Sequence, residues 1–159
     1  MILRAAALGL VFAVPLAAQA PPAQPLTAEV RVDVIASSGR TAIQGGGGVQ
    51  VPAGYYARIG IDGAIGADNV NGAQQKSGRV DVLGRFLFDP FRQSAWGISA
   101  GAGVSVRAHE GDRLRPLLLA VIDVEGQRAS NGISPALQVG LGGGVRVGAV
   151  LRWGARNAR

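Results

Sequence analysis

Between Tyr55 and Ala67 the chain reads YYARIGIDGAIGA, and every second residue is apolar or small. Tyr55, Ala57, Ile59, Ile61, Gly63 and Ile65 fall on one side; Tyr56, Arg58, Gly60, Asp62, Ala64 and Gly66 fall on the other. Strand side chains alternate faces with a period of two, so this is a strand with one greasy face and one charged face. The same alternation returns along almost the whole chain, and no helical period of 3.6 follows the first twenty residues. A chain patterned this way is expected to be all-β, a closed antiparallel eight-stranded up-and-down β-barrel.

The expected strands run Thr27–Ala36, Thr41–Val51, Tyr55–Ala67, Gly78–Phe88, Trp96–Arg107, Arg115–Glu125, Ile133–Leu141 and Gly144–Trp153. Turn signals separate them, among them Ser38-Gly39, Pro52-Ala53-Gly54, Asp89-Pro90 and Gly142-Gly143. The polar stretches Asp68–Ser77 and Ala108–Arg113 read as loops. Ahead of the first strand, Arg4 precedes an apolar run from Ala5 to Leu16 and then small residues, the layout of a secretory signal peptide. That run is short of the ~20 residues a spanning helix needs. The expected organisation is a signal peptide at 1–18, a Pro-rich lead-in at 19–26, a barrel at 27–153 and a basic tail at 154–159.

Composition agrees with crowded strand faces: of 159 residues, 25 are glycine and 16% are charged. A net charge of +6 could signal nucleic acid, but the arginines are spread singly along strands and do not cluster, so no nucleic acid is expected. With no cysteine there is neither a disulfide framework nor a lipid-modified N-terminal cysteine.

The charged faces collect into a balanced set. Glu29, Asp33, Asp62, Asp81, Asp123 and Glu125 face Arg31, Arg58, Arg79, Arg85, Arg107, Arg115, Arg146 and Arg152. Arginine with aspartate or glutamate suits enclosed, bidentate pairing. The expected interior charge lattice is Glu29, Arg31, Asp33, Arg58, Asp62, Arg79, Asp81, Arg85, Arg115, Asp123 and Arg146, with Arg107 and Arg152 as surplus cations nearest water. Leu117, Leu119 and Val121 are expected to fill space beside the glycine- and serine-lined fifth strand. If the N-terminus is periplasmic, the aromatic residues after the leader all fall at the periplasmic strand ends. Tyr55, Phe86, Phe88, Trp96 and Trp153 then form an aromatic girdle where rings meet headgroups.

On these features, with strands of about ten residues against the ~9–11 that span a bilayer, the stretch Thr27–Trp153 resembles the small eight-stranded outer-membrane β-barrels of diderm bacteria. The resemblance implies an exported, non-enzymatic protein of the cell outer membrane, in contact with membrane lipid and handled by the barrel-assembly machinery. In such proteins that machinery reads an aromatic residue ending the last strand; here Val145, Val147, Ala149, Leu151 and Trp153 alternate suitably and six residues follow.

Chemistry-bearing motifs are sparse. His109 is the single histidine and no G-x-S-x-G accompanies it. One histidine without cysteine disfavours zinc, and Asp68-Asn69-Val70-Asn71-Gly72 lacks the acidic spacing of a calcium loop. Gly45–Gly48 and Gly142–Gly144 precede no helix that could bind phosphate. No cofactor, metal or small-molecule substrate is expected. The alternatives are a soluble periplasmic barrel or sandwich holding a small apolar ligand, which the doubly apolar run Leu117–Ile122 suggests, and a lipid-modifying enzyme that would depend on His109.

Overall fold

A computed structural model describes residues 26–91, 93–109 and 114–154. The expected signal peptide, the lead-in through residue 25, the tail beyond Gly154, and Glu110 to Arg113 of one expected loop lie outside the described residues. The chain forms eight strands: β1 (Thr27–Ser37), β2 (Arg40–Pro52), β3 (Ala57–Val70), β4 (Ala73–Leu87), β5 (Gly97–His109), β6 (Arg115–Glu125), β7 (Ile133–Leu141) and β8 (Val145–Gly154). Each pairs antiparallel with its sequence neighbour, and β8 closes on β1 from Thr27↔Gly154 to Ala36↔Val145. The fold is therefore the closed eight-stranded up-and-down barrel that the alternation predicts. Closure removes every free sheet edge along the β1–β8 seam.

The largest departures from the expected bounds lie at the barrel's hairpin ends. The stretch Asp68–Ser77 is not a loop: β3 runs to Val70, β4 starts at Ala73, and only Asn71-Gly72 turns. Both residues have positive φ, 50° and 90°, the backbone that a two-residue hairpin turn demands and Asn-Gly supplies. Polarity hides this in the sequence, although Asp68 and Ser77, on the two arms of the hairpin, are both buried. His109, expected in a loop, ends β5 and pairs with Ser77. The barrel's rim is also uneven. β6 pairs with β7 only from Ala120↔Leu141 to Glu125↔Ala136, so its Arg115–Leu119 portion rises past the β7–β8 turn.

Burial alternates along much of each strand, and it is reversed relative to a water-soluble protein. Val32, Ile43, Ile61, Ile65, Leu118, Leu137 and Val147 are exposed, while Glu29, Arg31, Asp33, Asp62, Asp81, Asp123, Arg146 and Arg152 are buried. Lys76, near the β3–β4 tip, is an exposed charge.

At the end of the barrel where β1 begins and β8 ends, hereafter the terminal mouth, Phe86, Phe88, Trp96 and Trp153 are exposed. Tyr56 rather than Tyr55 is the exposed tyrosine; it stacks on Phe86 at 5.9 Å, and Tyr55 packs against Phe91 at 6.1 Å. The reason is that β3 begins only at Ala57, after the positive-φ turn at Gly54, so the strand's alternation does not extend to the two tyrosines.

Candidate functional site

Spacing of two within a strand places Glu29, Arg31 and Asp33 on one face of β1, and Arg79 and Asp81 on one face of β4. Closure turns those faces inward. At the centre, Arg31 donates through Nε to Asp33 Oδ2 at 2.8 Å and through Nη1 to Glu29 Oε1 at 3.2 Å and Asp62 Oδ2 at 3.0 Å. Its Nη2 donates to Asp33 Oδ1 at 3.0 Å and to Gln138. Arg85 bridges Asp62 and Asp123, both at 3.3 Å.

Towards the opposite, hairpin mouth, Arg79 holds Asp81 at 3.0 Å and Gln44 at 2.7 Å, and it also reaches Asp33. Arg146 donates to Asp81 at 2.6 Å and to Gln138 at 3.0 Å.

These bonds cross the interior. Along the wall, neighbours are often alike in charge: Asp62 stands opposite Asp81 in register, and Arg58 opposite Arg85. Like charges directly opposite destabilise a sheet. The side chains resolve this by reaching over: Arg79 on β4 to Asp33 on β1, Arg146 on β8 to Asp81 on β4, Arg85 on β4 to Asp123 on β6. Each such pair ties together strands that share no backbone ladder. Removing one partner of a buried pair strands a charge, at a cost of about 3–5 kcal/mol.

Glycine on the inner face supplies the room. A Cβ on Gly48 would lie 2.1 Å from Asp62 Oδ1, and one on Gly148 would lie 2.0 Å from Asp33 Oδ1. A small apolar cluster, Leu83, Leu119 and Val121, fills one side of the interior. Gly103 faces Leu83 and Gly101 faces Val121, so large meets small. Leu117 is half-buried and lies by the β7–β8 turn, its Cδ1 beside Gly143.

Of the residues the sequence assigns to the lattice, Glu29, Arg31, Asp33, Asp62, Arg79, Asp81, Arg85, Asp123 and Arg146 are brought together inside. Two expected members lie elsewhere. Arg115 is exposed, because it starts β6 on the rim that rises past the β7–β8 turn. Arg58 sits half-buried at the terminal mouth, 4.0 Å from Glu125. The two arginines expected nearest water are instead buried. Arg152 donates to Glu29 at 2.9 Å, Asp123 at 2.8 Å and Glu125 at 3.4 Å. Arg107 caps the β7–β8 turn by donating to the carbonyls of Gly142 and Gly143.

Sequence reasoning misses the neutral members Gln44, Gln50 and Gln138, all buried. Their inward parity on β2 and β7 is the available signal. It also misses Asp68, whose Oδ2 accepts from Arg40 Nε at 2.6 Å and lies 3.3 Å from His109 Nδ1. The single histidine is thus built into an Arg40–Asp68 cluster at the hairpin mouth.

No protein-family model matches the chain, and no curated protein matches it. Among solved structures it is similar to a de novo designed transmembrane β-barrel, at 16% identity and a TM-score of 0.57, over 84% of this chain and 98% of that one. A second de novo designed protein, solved by solution NMR, aligns at 15% identity and a TM-score of 0.45, over 84% of this chain and 97% of that one. At such identity the first likeness is one of fold, and the fold is the closed eight-stranded barrel.

Proposed function

We propose that this protein is an outer-membrane β-barrel with a structural, anchoring or surface-contact role and a non-conducting interior. The observation that carries the reading is the reversal of burial: large apolar side chains cover the outside while the charged ones are buried within. In water such a surface far exceeds the apolar patches that soluble monomers tolerate. In a bilayer it is the required surface, because a closed barrel satisfies its own backbone and presents hydrocarbon to hydrocarbon. The exposed rings of Phe86, Phe88, Trp96 and Trp153 at the terminal mouth suit a headgroup layer. The likeness in fold to a designed transmembrane barrel points the same way.

A soluble carrier of an apolar ligand would need a greasy cavity, whereas this interior is occupied by cross-linked arginines and carboxylates. Cell fractionation combined with gel mobility tests the reading. The folded protein is expected to pellet with outer membranes and to migrate faster unboiled than boiled. A freely soluble protein without a mobility shift refutes it.

A further inference from the structure

The register of the closed wall sets how far its strands lean. Stepping from partner to partner around the sheet, Glu125 on β6 leads through Arg31 on β1 and Arg79 on β4 back to β6 at Arg115, ten residues from the start. A climb of that size over eight strands, at ~3.3 Å per residue and ~4.8 Å between strands, tilts them by about 40° from the barrel axis.

On the outside, the apolar stretch has the same length on strand after strand. It runs from Ile43 to Val51 on β2, Ile59 to Ala67 on β3, Gly78 to Phe86 on β4 and Val145 to Trp153 on β8, and every outward position within it is aliphatic, aromatic or glycine. Polar side chains end it at the hairpin mouth, where Thr41, Asn69 and Lys76 stand exposed at the next outward positions. Rings end it at the terminal mouth, with Phe86, Phe88 and Trp153 exposed. The ends of each stretch are eight residues apart, so the tilted band is about 20 Å tall.

That is short against the ~30 Å hydrocarbon core of a typical bilayer. An element longer than the core fits by tilting, whereas one that is too short gains nothing that way. The lipid must then thin around it, at a cost for every ångström. Pairing of β8 with β1 holds the barrel's height, so the lipid is the side that adapts.

We propose, resting on the membrane reading, that this barrel selects a thin bilayer: the lipid that packs best on its wall has chains about a third shorter than those of a ~30 Å core. Thr41, Asn69 and Lys76 mark where one headgroup layer begins, and Phe86, Phe88 and Trp153 where the other does.

Competition between lipids at the wall tests it. The purified protein is refolded into vesicles that mix brominated dioleoyl phosphatidylcholine, which quenches the exposed Trp96 and Trp153, with unbrominated phosphatidylcholine of twelve-, fourteen-, eighteen- or twenty-two-carbon chains. The twelve- and fourteen-carbon lipids are expected to displace the quencher at least twofold better than the eighteen-carbon lipid, and the twenty-two-carbon lipid worst. Combining Thr41→Leu, Asn69→Leu and Lys76→Leu heightens the band locally by about 5 Å and is expected to move the preference towards longer chains. A preference for eighteen carbons or more, quenching that is indifferent to chain length, or a profile that the triple variant leaves unchanged overturns the proposal. Absence of quenching in every vesicle is a different failure: the protein is then outside the bilayer, and the membrane reading falls with the proposal.

Discussion

Arg31 offers the sharpest test of how the interior is held together. Its guanidinium makes contacts to Glu29, Asp33, Asp62 and Gln138, and the side chain has no exposed surface. Arg31→Met keeps much of the volume and removes every donor. Counting each charge-assisted bond at ~1.5–3 kcal/mol would overshoot, because the carboxylates keep other partners. Asp33 retains Arg79, Glu29 retains Arg152, and Asp62 retains Arg85 at 3.3 Å. The cost of breaking a buried pair, about 3–5 kcal/mol, is therefore the expected loss.

Adding Asp62→Asn to Arg31→Met should recover part of that loss, because the weakest-held carboxylate is then no longer charged. Urea unfolding from lipid vesicles, followed by the fluorescence of Trp96 and Trp153, measures both variants. A coupling of ~0.5–3 kcal/mol between the two sites is expected. A single variant within about 1 kcal/mol of the wild type, or strict additivity of the pair, would show that the cross-barrel contacts do not carry stability; exposed pairs are worth that little.

Three further outcomes are expected. Gly46→Ala puts a Cβ 2.0 Å from the Gly63 carbonyl oxygen, where backbone must yield, while a Cβ on Gly63 meets nothing within 4 Å; the first should cost about 1–3 kcal/mol and the second almost nothing in the same unfolding assay. Ile61, exposed on the outer face, should lose ~2–4 kcal/mol as Ile61→Arg if it lies near the bilayer midplane. Gly60→Ser on the inner face should lose much less, since its Cβ would meet the movable end of Arg85 at 2.9 Å, and equal losses would contradict the face assignment. In planar bilayers the refolded protein should give no steady conductance, because eight strands leave an interior that side chains fill; reproducible single-channel steps of porin size would show an open lumen.

The period of two in residues such as Ile59, Ile61 and Ile65 determined the strands, and the number of such segments determined the barrel. Both are local properties: a strand's faces follow from its own sequence. The same parity indicates that Arg31, Asp33, Asp81 and Arg146 share the inside. At Asp68 and Ser77 polar composition suggests a loop, although the strands run on to Asn71-Gly72.

Partnership was not legible. Asp62 faces Asp81 along the wall, and only closure brings Arg31 and Arg85 within reach of Asp62, or Arg146 within reach of Asp81. Rim height likewise decided Arg115 and Arg152. Both have inward parity, but β6 rises past its neighbour at Arg115, whereas Arg152 lies among Glu29, Asp123 and Glu125. Parity fixes the face of a side chain; the stagger of closed strands fixes its depth, and depth decides whether a charge meets water or a counter-charge.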